Sequence, residues 1–339
     1  MEENKKKSTL IQVIIIIVLF AILGCLIYFA TRENNSNQTQ NTTSNFNNFQ
    51  KGQRGNGNMG GGSIDKSTDT ELQNLIDEVV DKYEVKTFEG MEYNIFVPEN
   101  YDENTKYPLI LFIPDSSLVG KSAEEQLTQG YGGIIWASTE EQAKHPCFVV
   151  VPVITTTLTN DNWQVSDQIN TVVDLVKEIQ NTYSVDTNRT YTTGQSMGCM
   201  TSFYMNITQN NLFAASLYVS GQWDTEALGE IEDDKFFYIV SAGDDKASNG
   251  LSSLKSKFDK DNVDYAYGEE WDATWSDEEF TPIIEQLTSQ NKNINMGVLK
   301  QGTTLTNGAT GGMSGEHMTS FDYIYKIDAV RDWLFEQSK

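Results

Sequence analysis

Two short stretches almost without polar residues constrain this chain most. Residues 108–113 read Pro-Leu-Ile-Leu-Phe-Ile and residues 148–153 read Phe-Val-Val-Val-Pro-Val. Each is too short for a buried helix and apolar on both alternating faces, as a strand covered on both sides must be. Tyr93 to Val97 alternates instead and predicts a half-buried strand. Ile169, Val172, Val173, Val176 and Ile179 then recur at helical spacing, the buried stripe of a crossover helix. Further strands are predicted at Arg189 to Thr193, Phe213 to Val219, Phe236 to Ser241 and Ile294 to Leu299. The chain ends in a predicted helix with Ile324, Ile327, Val330 and Leu334 on one face. Strands and helices in alternation predict the α/β class, a mostly parallel central sheet flanked by helices. In such sheets functional side chains gather in loops just past the carboxyl ends of strands.

The first 66 residues do not belong to that pattern. Leu10 to Ala30 is nearly unbroken apolar sequence, and 21 residues at ~1.5 Å each span a bilayer core of about 30 Å. Lys5, Lys6 and Lys7 precede it, so the positive-inside bias predicts a cytoplasmic tail at 1–9, a transmembrane helix at 10–30 and an extracellular remainder. A competing reading is lipoprotein processing at Ile22-Leu23-Gly24-Cys25, although apolar residues continue through Phe29 where a mature lipoprotein turns polar. Residues 31–66, rich in Asn, Gln, Ser, Thr and Gly, bury too little to offset chain entropy and predict a disordered low-complexity linker. The catalytic-sized unit is then 67–339.

A net charge of −24 and a pI near 4.3 argue against nucleic acid and anionic lipid headgroups as partners. With only two histidines and three cysteines, no metal-ligand spacing exists. Cys147 and Cys199 allow one disulfide at most; their apolar settings favour two buried free thiols.

Past the predicted strand ending at Thr193 stands Gly194-Gln195-Ser196-Met197-Gly198, a G-x-S-x-G sequence followed by the helix-prone run Met200 to Ile207. Strand, tight glycine-flanked turn and helix together form a nucleophile elbow, which lifts a serine hydroxyl clear of the sheet. The Met197 N–H then faces the place where an oxyanion develops. A serine hydroxyl needs a base, and histidine has the matching pKa. His145 precedes the serine beside Pro146 and a predicted core strand, and reads as a structural or surface residue. His317 follows the last predicted strand, in Gly311-Gly312-Met313-Ser314-Gly315-Glu316-His317, and is the candidate base at the opening of the terminal helix.

The segment Val185 to Gly198, with its Asp-x-x-Arg strand leading into Gly-x-Ser-Met-Gly, resembles the elbow of polyhydroxybutyrate-depolymerase-like and feruloyl-esterase-like serine hydrolases. Met91 to Ser116 resembles the opening of the same families, and Arg331-Asp332-Trp333-Leu334-Phe335 their close. The resemblance runs from about Glu89 to Gln337 and implies an α/β-hydrolase fold without a cofactor. It also implies a triad acid after the penultimate strands, where Ala242-Gly243-Asp244-Asp245 lies. Asp244, directly after the glycine, matches best, with Asp245 next and Asp224 behind them. The second oxyanion amide is implied after strand 108–113. There the families' Leu-His-Gly-x-Gly is replaced by Ile113-Pro114-Asp115-Ser116-Ser117, and Ser116 N–H is the candidate donor.

Trp163, Trp223, Trp271 and Trp275 fall in predicted loops or just past strands, and Trp223 is the candidate pocket residue. Residues 260–293, rich in Asp, Glu and Trp, predict a lid or cap insertion. The expected activity is hydrolysis of a small-molecule or polymer carboxylic ester through an acyl-enzyme. Amide cleavage by a peptidase-like relative is the alternative. A third reading is a catalytically inert, surface-displayed binding module, motivated by the altered oxyanion loop. Nothing in the sequence defines the substrate or the oligomeric state.

Overall fold

A computed structural model describes residues 66–305 and 313–339. The expected cytoplasmic tail, transmembrane helix and all of the linker but Lys66 lie outside the described residues. Among the described residues no helix is long and apolar enough to cross a membrane.

The elements in chain order are α1 (Thr70–Val79), β1 (Glu84–Phe88), β2 (Met91–Phe96), β3 (Tyr107–Ile113), α2 (Ala123–Thr128), α3 (Thr139–Lys144), β4 (Phe148–Pro152), α4 (Gln168–Thr182), β5 (Val185–Gln195), α5 (Met197–Thr208), β6 (Ala215–Val219), β7 (Phe236–Ser241), α6 (Asp245–Asp261), β8 (Tyr265–Trp271), α7 (Asp277–Thr288), β9 (Ile294–Leu299), α8 (Met313–Lys326) and α9 (Asp328–Glu336). The strands form one nine-stranded sheet ordered β1-β2-β4-β3-β5-β6-β7-β9-β8. β1 and β2 join antiparallel, and every pairing from β4 through β8 is parallel.

The middle of the sheet is buried on both faces because strands such as β3, β4, β6, β7 and β9 are apolar on both. On β3, Ile110 and Phe112 face a layer containing α1, α7, α8 and α9, whereas Leu109, Leu111 and Ile113 face α4 and α5. On β7, Phe237 and Ile239 join the first layer while Phe236, Tyr238 and Val240 meet α5 and α6. Parallel register aligns the strand ends: Ile113 lies beside Gly194, Gln195 beside Val219 and Ser241 beside Leu299. The loops after β3, β5, β6, β7 and β9 therefore share one edge.

Three expectations need correction. Residues 260–293 are not a lid: they form the edge strand β8 and its flanking helix α7. Trp271 lies over Gly268 and Gly297, where a Cβ on Gly297 would sit 2.1 Å from its ring, and Phe280, Ile284 and Leu287 bury the helix. The terminal helix is two helices, broken at Ile327, whose ψ of 99° is extended. Arg331 stabilises the break by donating from Nη1 to the Tyr325 carbonyl at 2.6 Å. His317 consequently lies inside α8, after its first turn has begun, rather than opening the last helix. Strands β1 and β8 had no apolar run to announce them, because both lie at sheet edges with exposed positions.

Candidate active site

β5 delivers the chain to Ser196 and α5 carries it away at once. Ser196 adopts φ 53° and ψ −115°, a conformation that costs a non-glycine residue roughly 1–3 kcal/mol. Contacts on either side impose it. A Cβ on Gly198 would lie 1.9 Å from the Ile113 carbonyl oxygen, and one on Gly194 would lie 2.5 Å from the Gly198 carbonyl carbon. Glycine at both positions lets the start of α5 press onto the end of β3. Backbone bonds fix the turn: Ser196 N–H donates to Val219 O at 3.0 Å, and Met200 N–H to Ser196 O at 3.0 Å. Thr159 adds a side-chain tie from the loop after β4, its hydroxyl donating to Met197 O at 3.1 Å.

His317 meets this turn from α8. Its Nε2 is 2.9 Å from Ser196 Oγ, and its Nδ1 is 2.5 Å from Asp244 Oδ2. The Phe321 ring stands edge-on to the imidazole at 5.0 Å. Asp244 is the N-cap of α6, with Oδ1 accepting from Ala247 N–H at 3.2 Å, so its carboxylate sits at the positive end of a helix dipole. Of the three aspartates considered from sequence, only Asp244 touches His317. Asp245 is the first residue of α6 and faces solvent. Asp224 closes its own turn by accepting from Glu226 N–H at 3.0 Å. Asp244 is 1% exposed at its side chain and His317 is 24% exposed, so the imidazole connects a buried carboxylate to an accessible edge.

The loop after β3 lacks the glycines of the resembled families and is organised by Asp115 instead. Asp115 is buried and caps the short turn Ser116–Leu118, accepting from Ser117 N–H at 2.7 Å. Its Oδ2 accepts from Gln195 Nε2 at 3.0 Å, and Gln195 also donates to Gln129 Oε1 at 3.1 Å. Gln129 returns to the loop through a bond to Ser117 Oγ at 2.6 Å. The residue before the nucleophile candidate is thereby bonded to the loop holding the second oxyanion candidate. Met197 N–H, at the first position of α5, and Ser116 N–H, at the start of its turn, have no hydrogen-bond acceptor among the described residues. Sequence reasoning passed over Asp115 and Gln195. The signal available was a carboxylate at Asp115, in the loop where the resembled families carry Leu-His-Gly-x-Gly; Gln195 had none.

Trp223, the pocket candidate, is buried in the cluster beneath α5 and α6 and packs against Tyr204 with ring centroids 5.9 Å apart. Its neighbour Trp163, 5.4 Å away, is the ring that reaches solvent, 38% exposed on the loop after β4. Trp271 and Trp275 pack against the core. Cys147 and Cys199 are unpaired and buried, and burial pushes both thiols far above their ordinary range. Among the described residues no three His, Cys, Asp or Glu side chains converge as a metal site would require.

No family model matches the chain, and no curated protein matches its sequence. Solved structures do match its fold. A thermostable esterase superposes with a TM-score of 0.61 at 21% identity, over 77% of this chain and 64% of that one. The chain thus spans less than two thirds of that esterase's length. Weaker likenesses include the feruloyl esterase module from Clostridium thermocellum, in complex with sinapinate (TM-score 0.45, 14% identity, 73% of this chain and 85% of that one). Another is the S-formylglutathione hydrolase FrmB from Staphylococcus aureus (TM-score 0.43, 13% identity, 74% of this chain and 96% of that one). The chain has an α/β-hydrolase fold.

Proposed function

We propose that this protein is a serine hydrolase that cleaves carboxylic esters through an acyl-enzyme. The observation that carries the reading is the unbroken relay from Ser196 Oγ through His317 to buried Asp244, with contacts of 2.9 and 2.5 Å. In the mechanism, His317 Nε2 takes the Ser196 proton as Oγ attacks the ester carbonyl. Asp244 holds the imidazole with Nδ1–H inward and stabilises the imidazolium. The Met197 and Ser116 amides receive the oxyanion. Collapse expels the alcohol, which takes the proton from His317. Water, deprotonated by the same nitrogen, then attacks the acyl carbonyl carbon; the bond to Ser196 Oγ breaks, Oγ recovers the proton from His317, and the acid is released. The esterase that the fold resembles supports an ester over an amide as substrate, by its name.

We further propose that residues 10–30 anchor the enzyme with its hydrolase domain outside the cell, on the strength of the apolar run and the lysines before it. Protease added to intact cells should release the domain; protection until lysis would reverse the orientation.

The chemistry is tested with a fluorophosphonate probe and a p-nitrophenyl ester. The wild-type protein should label at Ser196 and hydrolyse the ester. Ser196→Ala should do neither while remaining folded, and full labelling of that variant would refute the assignment.

A further inference from the structure

The residue before His317 has no part in the relay, yet it is buried and charged. Glu316 is 4% exposed and sits between the loop after β7 and the turn after β9. Its Oε2 accepts from Ser241 Oγ at 2.7 Å, at the end of β7. Its Oε1 accepts from Gly302 N–H at 3.0 Å, in the turn after β9. Its carboxyl carbon lies against Gly243, where a Cβ would approach to 1.9 Å. That last contact is two-sided: Gly243 immediately precedes Asp244, and Glu316 immediately precedes His317. A side chain on residue 243 would drive the acid's loop and the base's helix apart.

We propose that Glu316 is a positioning residue that locks the His317 helix to the Asp244 loop, so that the imidazole is in register with both Asp244 and Ser196. This rests on the relay being catalytic. A buried carboxylate stays buried only with strong donors. Glu316 takes one from each of two strand ends, so it can seat in only one place. The rest of α8 is held more loosely in that direction. Ser320 donates to His317 O at 2.9 Å and meets Ser220 Oγ at 2.8 Å, tying the helix to the end of β6. Thr319 reaches Thr304 at 3.0 Å, on the β9 side. Among these ties only Glu316 reaches the β7 loop that carries the acid. The Ser241 hydroxyl has a second function there, accepting from Gly243 N–H at 3.3 Å, so one side chain braces both partners of the contact.

A lever this close to a base acts on geometry rather than on substrate binding. A misplacement on the order of 1 Å costs about 100-fold in rate. Glu316→Ala should therefore lower kcat by about 10- to 100-fold with KM changed less than about twofold. The proton between His317 Nδ1 and Asp244 should give a far-downfield NMR resonance in the wild-type protein, and that resonance should be lost or shifted in Glu316→Ala. Glu316→Gln keeps the shape and one acceptor and should recover most of kcat and the resonance. Ser241→Ala removes one arm and should lower kcat in the same direction by a smaller factor, which keeps the test open if Glu316→Ala does not fold. Wild-type kcat together with an unchanged resonance in Glu316→Ala, or in Ser241→Ala where only that variant folds, would overturn the proposal. Its failure is distinct from failure of the relay itself, which would show as activity retained in Ser196→Ala and His317→Ala.

Discussion

The chain has two histidines, and the two are built almost alike. His317 places Nδ1 2.5 Å from Asp244; His145 places Nδ1 2.9 Å from Glu141. Both carboxylates are 1% exposed at the side chain. Each ring rests on a phenylalanine, Phe321 edge-on for His317 and Phe335 stacked for His145. A histidine–carboxylate pair is therefore not in itself a catalytic device. The difference lies at the other nitrogen and in the fold. His317 Nε2 faces a hydroxyl on a strained turn at the carboxyl edge of the sheet. His145 Nε2 faces Asp332 Oδ1 at 3.6 Å, and its residue precedes β4, at the opposite edge. Glu141 is also held by Arg331 Nε at 2.6 Å, which makes that cluster a structural clasp between α3 and α9.

The largest effects should fall on one pair only. In the mechanism proposed above, Asp244→Asn keeps the shape but removes the charge that would stabilise the imidazolium, a loss of about 10⁴-fold in turnover for a serine protease triad. Asp245→Asn acts only through a solvated surface and should stay within tenfold, since exposed pairs are worth about 1 kcal/mol or less. Steady-state kinetics on folded variants ranks them, and an inverted ranking would move the acid by one residue. His317→Gln should likewise lose orders of magnitude, whereas His145→Gln should keep kcat within about twofold. Comparable losses in both histidine variants would break the comparison drawn above.

The second cluster should respond in stability instead. Arg331→Met leaves Glu141 buried without its cation, which costs about 3–5 kcal/mol when one partner of a buried pair is removed. Urea unfolding should show that loss while kcat per folded molecule is unchanged. An equal fall in kcat would mean that the clasp communicates with the site.

The smallest effect concerns a carboxylate that has neither partner. Burial, aided by the charge of Asp233, raises Asp234 to about 6. Among the described residues no donor or cation meets its side chain, unlike Glu141. Glu141 is lowered overall: burial opposes this, and the His145 hydrogen bond and the Arg331 charge outweigh burial. The two should slope oppositely with pH. Glu141, with its folded pKa depressed, contributes stability that is present above the ordinary carboxylate value of about 4.3 and lost as pH falls through the lower folded one. Asp234, with its folded pKa raised, carries a burial penalty that is fully present above about 6 and relieved as pH falls through that value. Asp234→Asn should thus be more stable than wild type at pH 7, with the gap closing toward pH 4. A gap independent of pH would remove the ionisation from the explanation.

Legibility in the sequence followed burial. Strands β7 and β9 are predicted residue for residue, because buried strands are apolar on both faces and have sharp polar ends. Edge strands β1 and β8 were invisible, since a strand half in water needs no apolar run. The supposed lid failed for a related reason: Glu269 and Glu270 face solvent from the same strand whose Ala266 and Trp271 are in the core. The split at Ile327 left no trace either. No proline or glycine marks it, and a carbonyl accepting from Arg331 holds it open.

What the sequence determined by itself was local: the buried strands, and a serine between two glycines where a strand must turn straight into a helix. Backbone sterics act over a few residues, so a string of letters suffices to read them. Which carboxylate meets His317 was decided by tertiary structure, because Asp244 and Asp245 are adjacent and chemically identical. Only the α6 N-cap geometry turns one inward and the other to water. The same holds for Asp115 and Glu316. Gln195 in one case and Ser241 in the other lie 80 and 75 residues off in the chain, and meet them only because parallel strands end in register along one edge of the sheet.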